Sequence, residues 1–455
     1  MTSLVVSPSG DMLYAGVGSD VYAFSLSLSS SESKAAVGAE TPFVVYTNGE
    51  EGSQGDVQVQ TFILSKCGSY LYGGYNDKTV VCWNTSDGQV AGKSSVLKKK
   101  LNSMAMTSFD GKDVLLVSDK FGEVWAFDQK LEKSVMITGH STSIITDMAV
   151  LNSASEGKDF LITSDRDEKI RISSLPDAHI IRSYCLGHTS VVSSMDIASI
   201  GDKQYIISCG WDHKLCIWDA MNNASLVLEH QLPNKTEAME TEEKEKEKEK
   251  ESAPKTEDGG EEEEEEEEKN YDENKAGSYP IKVVPFTVDG ANYIVILFRG
   301  ENALHIYSIK SAAGFALEKV SSYDLSATPS DIVPLAVPGT KTTCLAVLLP
   351  RPHCLEFIEL RLSAGGAVDC VLSEHATLVE KAGQFKEQCS QLPETVDFKQ
   401  KGAASASEES GNAQFKKHNL HAPYTGMGGN ERLQKGEGTR AKKRKERKLN
   451  VQVDA

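Results

Sequence analysis

One unit recurs along this chain at a spacing of about 45 residues: a polar turn, then an alternating strand ending in Trp or a substitute. Asp77-Lys78-Thr79-Val80-Val81-Cys82-Trp83 aligns with Asp212-His213-Lys214-Leu215-Cys216-Ile217-Trp218, and both align with Asp167-Glu168-Lys169-Ile170-Arg171-Ile172-Ser173. Phe121-Gly122-Glu123-Val124-Trp125-Ala126-Phe127 keeps the alternation without the Asp. Gly139-His140 and Gly187-His188 precede the units holding Asp167 and Asp212. A unit of this size cannot bury its own sheet faces, so the repeat forces neighbouring sheets to stack around a common core.

Gly-His, strand, polar turn, strand and Trp together form the WD-repeat blade signature of a β-propeller. The bonding set expected in the best unit is His188, Ser208, Asp212 and Trp218. In the next it is His140, Thr163 and Asp167, with Ser173 where Trp should stand. Weaker units flank these. Residues 3–24 read as two strands around Ser7-Pro8-Ser9-Gly10-Asp11. Residues 281–309 and 331–362 repeat one plan, with Cys344-Leu345-Ala346-Val347-Leu348-Leu349 as a buried strand. The expected fold is all-β, a seven-bladed WD-repeat propeller: blades 1–5 over 1–231, an acidic insertion over 232–278, blades 6–7 over 279–380, then a linker and basic tail over 381–455. The N-terminal strand is expected to pair into the last blade and close the ring, removing free edges.

The net charge of −18 hides two opposed segments. Residues 232–275 hold 20 acidic and 8 basic residues, a composition expected to be disordered. Residues 430–450 hold 9 basic and 3 acidic residues, around Lys442-Lys443-Arg444-Lys445-Glu446-Arg447-Lys448. A cluster of that size serves as a nuclear address, as a phosphate-binding arm in contact with a nucleic acid, or as a solvated terminus. Lys98-Lys99-Lys100 is a shorter cluster leading into a blade, either a solvated loop or a second nucleic-acid contact. No apolar run approaches the roughly 18–20 residues that span a bilayer, and the first residues do not read as a secretion signal. The nine cysteines show no C-x-x-C pair and no zinc spacing, so no metal site is expected and a reducing compartment fits.

Catalytic and cofactor motifs are missing. Gly16-Val17-Gly18 lacks the third glycine of a dinucleotide loop. Gly88-Gln89-Val90-Ala91-Gly92-Lys93-Ser94 is too short for a phosphate loop and reads as a turn joining blades. A catalytic channel would show clustered acids, histidines or metal ligands on the inner strands of several blades, and the sequence is expected to place none there. No cofactor follows from any of these residues.

Asp165-Arg166-Asp167-Glu168-Lys169-Ile170-Arg171 carries far more charge than a blade turn needs. Surplus charge on a rigid scaffold points to a docking surface. Asp167 is expected to serve the blade, like Asp77 and Asp212. Arg171 stands where the sister blades have Val81 and Cys216, so it needs a partner, either Asp165 within the blade or a group on another protein.

This heptad resembles a signature of one WD-repeat family, the non-catalytic subunit of the tRNA (guanine-N7-)-methyltransferase. Ser118-Asp119-Lys120-Phe121-Gly122-Glu123-Val124-Trp125 and Cys185-Leu186-Gly187-His188-Thr189 are similar to two further stretches of that family. About residues 100–220 carry the resemblance. It implies a chain that neither binds the methyl donor nor transfers the methyl group. Instead it forms a heterodimer with a catalytic subunit, for N7-methylguanosine formation in tRNA. It also implicates Lys120, Arg166, Glu168, Lys169 and Arg171 in pairing, with Asp167 in support, and the tail implies a nuclear protein. The other reading is a generic propeller adaptor, such as a ubiquitin-ligase substrate receptor or a chromatin scaffold, which leaves the heptad unexplained.

Overall fold

The computed structural model describes residues 3–26, 44–47, 57–234 and 278–391, apart from the loop positions 96, 142, 154–156, 312–313, 338–341, 351–352 and 363–367. The insertion at 235–277 and the tail, with Lys442, Lys443, Arg444 and Lys445, lie outside the described residues. Seven four-stranded antiparallel sheets form a β-propeller, each sheet wound from consecutive strands. The blades span 4–46, 59–93, 101–139, 145–186, 192–231, 280–324 and 331–372. The first strand of each sheet meets the first strand of its neighbours and lies innermost.

Burial follows from this radial order. The second strands are buried on both faces, because each sheet packs between two others; Leu161 and Ile162 of blade 4 and Leu345, Ala346 and Val347 of blade 7 are wholly enclosed. That geometry makes continuous apolar runs readable as middle strands. The outermost strands are largely exposed. Trp83 and Trp218 are fully buried, and all nine cysteines are free, most of them acting as small core residues.

Three expectations are corrected. First, the ring does not close by strand exchange. Leu4–Val6 pairs with Met12–Val17 in its own sheet. Closure comes instead from the Leu4 amide, which donates to Asp331 Oδ2 at 2.7 Å, and from a core shared by blades 1 and 7. Second, a helix, α1 (Ala376–Gln391), stands where a linker was expected from 381. Its Leu378, Ala382, Phe385 and Cys389 face that shared core, and the Phe385 ring lies 5.8 Å from both Tyr22 and Phe24. The 4-3-4 spacing of these residues is the signal that marks the helix. Third, Gly88 belongs to a turn inside blade 2, ahead of the outer strand Val90–Lys93, so this segment does not join blades.

The inner strands do carry acids. Register shifts at Ile145/Asp147, Val192/Ser194 and Pro280/Lys282 place a bulge at a matching point in blades 4, 5 and 6. Asp147 accepts from Ser103 Oγ, Ser194 Oγ and the Met195 amide, which ties blades 3, 4 and 5 together. Lys282 is paired with Asp331. Asp196 is pushed up to about 6 by burial, opposed by the Ile197 amide, with the Asp147 charge adding to the rise and Lys282 lowering it. Among the described residues no group of His, Cys, Asp and Glu is placed to hold a metal ion, and no helix is long and apolar enough to cross a membrane.

Candidate functional site

The heptad forms the hairpin between the middle strands of blade 4, Lys158–Asp165 and Lys169–Ser174. Its internal anchor is Asp165. Asp165 Oδ2 lies 3.0 Å from His140 Nδ1, and since a carboxylate only accepts, Nδ1 carries the proton. His140 Nε2 meets Thr163 Oγ1 at 2.8 Å. Asp165 Oδ1 accepts the amides of Asp167 and Lys169. Burial pushes this carboxyl up, but His140 and the two amides outweigh it and hold the group below its ordinary value.

The expected role of Asp167 is therefore corrected. In blade 5 the acid two residues later does this work: Asp212 bonds His188 Nδ1 at 2.9 Å, while Ser208 links His188 to Trp218 Nε1. The two arrangements exclude each other. Gly210 occupies the position of Asp165, and a Cβ there would come within 2.9 Å of Asp212 Oδ1 and 3.0 Å of His188 Nδ1. Blade 3 follows blade 4, for Asp119 Oδ1 accepts the Phe121 and Glu123 amides. An Asp or a Gly at the end of the preceding strand is the signal that separates the two cases. Asp167 itself is exposed.

Arg171 is settled inward. It is 6% exposed, its Nη1 donates to the Gly139 carbonyl and its Nη2 to Thr138 Oγ1, each at 3.2 Å. Burial lowers its pKa, while Tyr184, its partner across the outer strand, and Asp165 favour the charged form. The cause lies two residues on. Trp218 of blade 5 rests its indole against Gly187, where a Cβ would come within 2.9 Å of the ring. Blade 4 has Ser173 at that place, too short to reach Gly139, the counterpart of Gly187. Arg171, on the same strand face as Ser173, extends to Gly139 instead. Arg171 thus stitches blade 4 to the outer strand of blade 3 and is withdrawn from the surface.

The remaining heptad residues project outward. Arg166, Asp167, Glu168 and Lys169 are exposed, and Lys169 Nζ donates to the Asp167 carbonyl, its one partner among the described residues. Glu168 holds φ at 70°, as Lys78, Gly122 and His213 do at 73°, 82° and 55°, so this left-handed residue belongs to the hairpin geometry. The structure also joins two clusters that are distant in sequence. The Lys120 amide donates to the Lys100 carbonyl, and Lys99 Nζ sits 3.9 Å over the Phe121 ring, itself 60% exposed. Lys98 and Lys100 are exposed beside this turn.

A part of the surface that periodicity did not single out lies on the outer strands. Val135 and Met136 of Ser134–Gly139, and Ile181, Tyr184 and Leu186 of Ile181–Leu186, are all more than 40% exposed. Leu186 is paired directly with Lys169. The charged turn therefore stands at the end of an apolar strand edge, a combination suited to a protein partner.

Comparison with known proteins bears on the same region. Residues 127–239 match the family described as the tRNA methyltransferase TRM82 WD40 domain. Similar chains include the tRNA (guanine-N(7)-)-methyltransferase non-catalytic subunits of Meyerozyma guilliermondii, Bos taurus and Xenopus laevis. The first is 38% identical over 23% of this chain and 26% of its own length. The second is 31% identical over 39% and 42%, and the third 30% identical over 48% and 52%. The matched part thus spans about a quarter to a half of these relatives. A chain in the crystal structure of a mitotic checkpoint complex is similar in fold, with a TM-score of 0.52 and 14% identity over 78% of this chain and 87% of that one.

Proposed function

We propose that this chain is the non-catalytic subunit of a tRNA (guanine-N7-)-methyltransferase. In this reading it binds and holds the catalytic subunit for N7-methylguanosine formation in tRNA. The observation that carries the reading is the blade 4 hairpin. Its anchoring acid and its buried arginine are used inside the propeller, while Arg166, Asp167, Glu168 and Lys169 are presented outward beside exposed Leu186. Charges with no role in the blade, set on a rigid turn at the end of an apolar edge, fit a register-fixing contact with a protein. Lys120 extends the contact into blade 3, and Lys98, Lys99 and Lys100 supply cations toward tRNA phosphates. The chain itself contributes no methyl-donor site, and the basic tail directs the complex to the nucleus.

The test is capture of the catalytic subunit by the full chain, with N7-methylguanosine measured in tRNA after the chain is removed from cells. Lys169→Glu should leave the melting temperature unchanged and weaken pairing by about 2–5 kcal/mol, as expected for a lost interfacial charge pair. Capture of ubiquitin-ligase or histone partners in place of a methyltransferase, with normal tRNA methylation in the depleted cells, would overturn the proposal.

A further inference from the structure

The hairpins of four consecutive blades place one residue each at an equivalent point on the same rim. These residues are Lys120, Arg166, Trp211 and Arg299. Each is fixed by its own amide, which donates to the carbonyl of Lys100, Ile144, Val191 and Tyr279 respectively, in the connection that precedes the innermost strand. Three of these four are cations, Asn76 holds the same point in blade 2 through its amide bond to the Gln58 carbonyl, and Trp211 is the one large aromatic among the five, 38% exposed.

The indole is also held in place. Its ring centroid lies 4.7 Å from that of Tyr279, and the Arg299 guanidinium stands 5.5 Å from the opposite partner in this pair, the Tyr279 ring, while bonding the Tyr279 hydroxyl. Tyr279 is buried, so Trp211 rests on a fixed support. The Trp211 indole N–H has no acceptor among the described residues. The acids of the two neighbouring turns are already engaged. Asp212 takes His188 and the Thr189 and Lys214 amides, and Glu301 takes Ser278 and His305. The Asp167 and Glu168 carboxylates are exposed on the blade 4 turn.

We propose that Trp211, supported by Tyr279 and Arg299, is a stacking platform for an unpaired RNA base, with Arg299 taking a flanking phosphate. A rigid aromatic face beside cations is what single-stranded nucleic acid requires, because every base offers a π-face and every linkage a negative charge. The propeller thereby contacts RNA directly, besides holding a catalytic partner. This inference deepens the function proposed above and takes from it only the identity of the polymer.

The test uses the full chain with a short oligouridylate, an RNA duplex of equal length and bulk tRNA, all at low salt. The single strand and tRNA should bind and quench the exposed indole, and the duplex of equal length should bind less tightly. Trp211→Ala should weaken single-strand binding by about tenfold. Trp211→Phe should retain most of the affinity, and both variants should melt with the parent chain. Arg299→Gln should reduce the salt slope by about one. Unchanged affinity in Trp211→Ala, or no binding of the oligonucleotide by the parent chain, overturns the proposal. So does loss of methyltransferase capture in Trp211→Ala with RNA binding intact, since the indole would then be a protein contact. Failure of the parent chain to capture a methyltransferase counts against the proposed function and leaves the RNA measurement standing.

Discussion

Replacing Asp165 and Asp167 separately distinguishes the anchor of the blade 4 hairpin from the charge it displays. Asp165 is 4% exposed and accepts His140 Nδ1 and the amides of Asp167 and Lys169 at 3.0, 2.9 and 3.1 Å. Asp165→Ala strands three donors and removes the carboxylate that favours the Arg171 charge. At about 1 kcal/mol for each lost bond, and more for donors left without an acceptor, the expected loss is roughly 3–5 kcal/mol. For a domain of this size that corresponds to a fall in melting temperature of roughly 5–10 °C. Asp167→Ala removes an exposed carboxylate whose only described bonds use its backbone, so the change should stay within about 0.5 kcal/mol. The pH dependence has a definite sign. The folded-state pKa of Asp165 lies below its ordinary 3.8, so its stabilisation is complete above that value and disappears as pH falls through the depressed one. The gap between Asp165→Ala and the parent should close at strongly acid pH. Thermal and urea denaturation of both variants across pH is the assay. Equal destabilisation by the two substitutions, or a gap that widens in acid, would refute the assignment of Asp165 as the anchor.

Three further outcomes are expected. Asp196, pushed up to about 6, has the opposite sign: its contribution is present below the ordinary carboxylate value and lost as pH rises through 6, so Asp196→Asn should gain up to about 2 kcal/mol over the parent at pH 8 and little at pH 4, read by urea titration. Phe385→Ala should cost about 3–5 kcal/mol and open blades 1 and 7 to limited proteolysis, because Phe385 is fully enclosed between α1 and the Tyr22 and Phe24 rings. Joining Asn234 to Ser278 by a short Gly-Ser linker should leave the melting temperature unchanged, since residues 235–277 hold few apolar side chains and many acids; a clear fall in calorimetry would refute this.

Much of the architecture is written locally. Apolar runs bounded by turns mark the middle strands because each is buried on both faces, and the repeat of Gly-His, polar turn and Trp marks the central blades without any knowledge of contacts. Charge surplus at 165–171 likewise marks a surface, because a turn needs no such charge. The internal role within the heptad was harder to read. Asp165 and Asp167 stand two residues apart on one turn, and which of them meets the histidine turns on a Gly or an Asp at the preceding strand end. Arg171 turned inward because Ser173 leaves the place of an indole unfilled and Gly139 offers a carbonyl from the neighbouring blade. Ring closure by α1, and the alignment of Lys120, Arg166, Trp211 and Arg299 on one rim, likewise arise between segments far apart in the chain. Periodicity reports which face of a strand is buried, since that depends on neighbours two residues away. Which side chain fills a gap between two sheets depends on the sheet next door, and only the closed ring decides it.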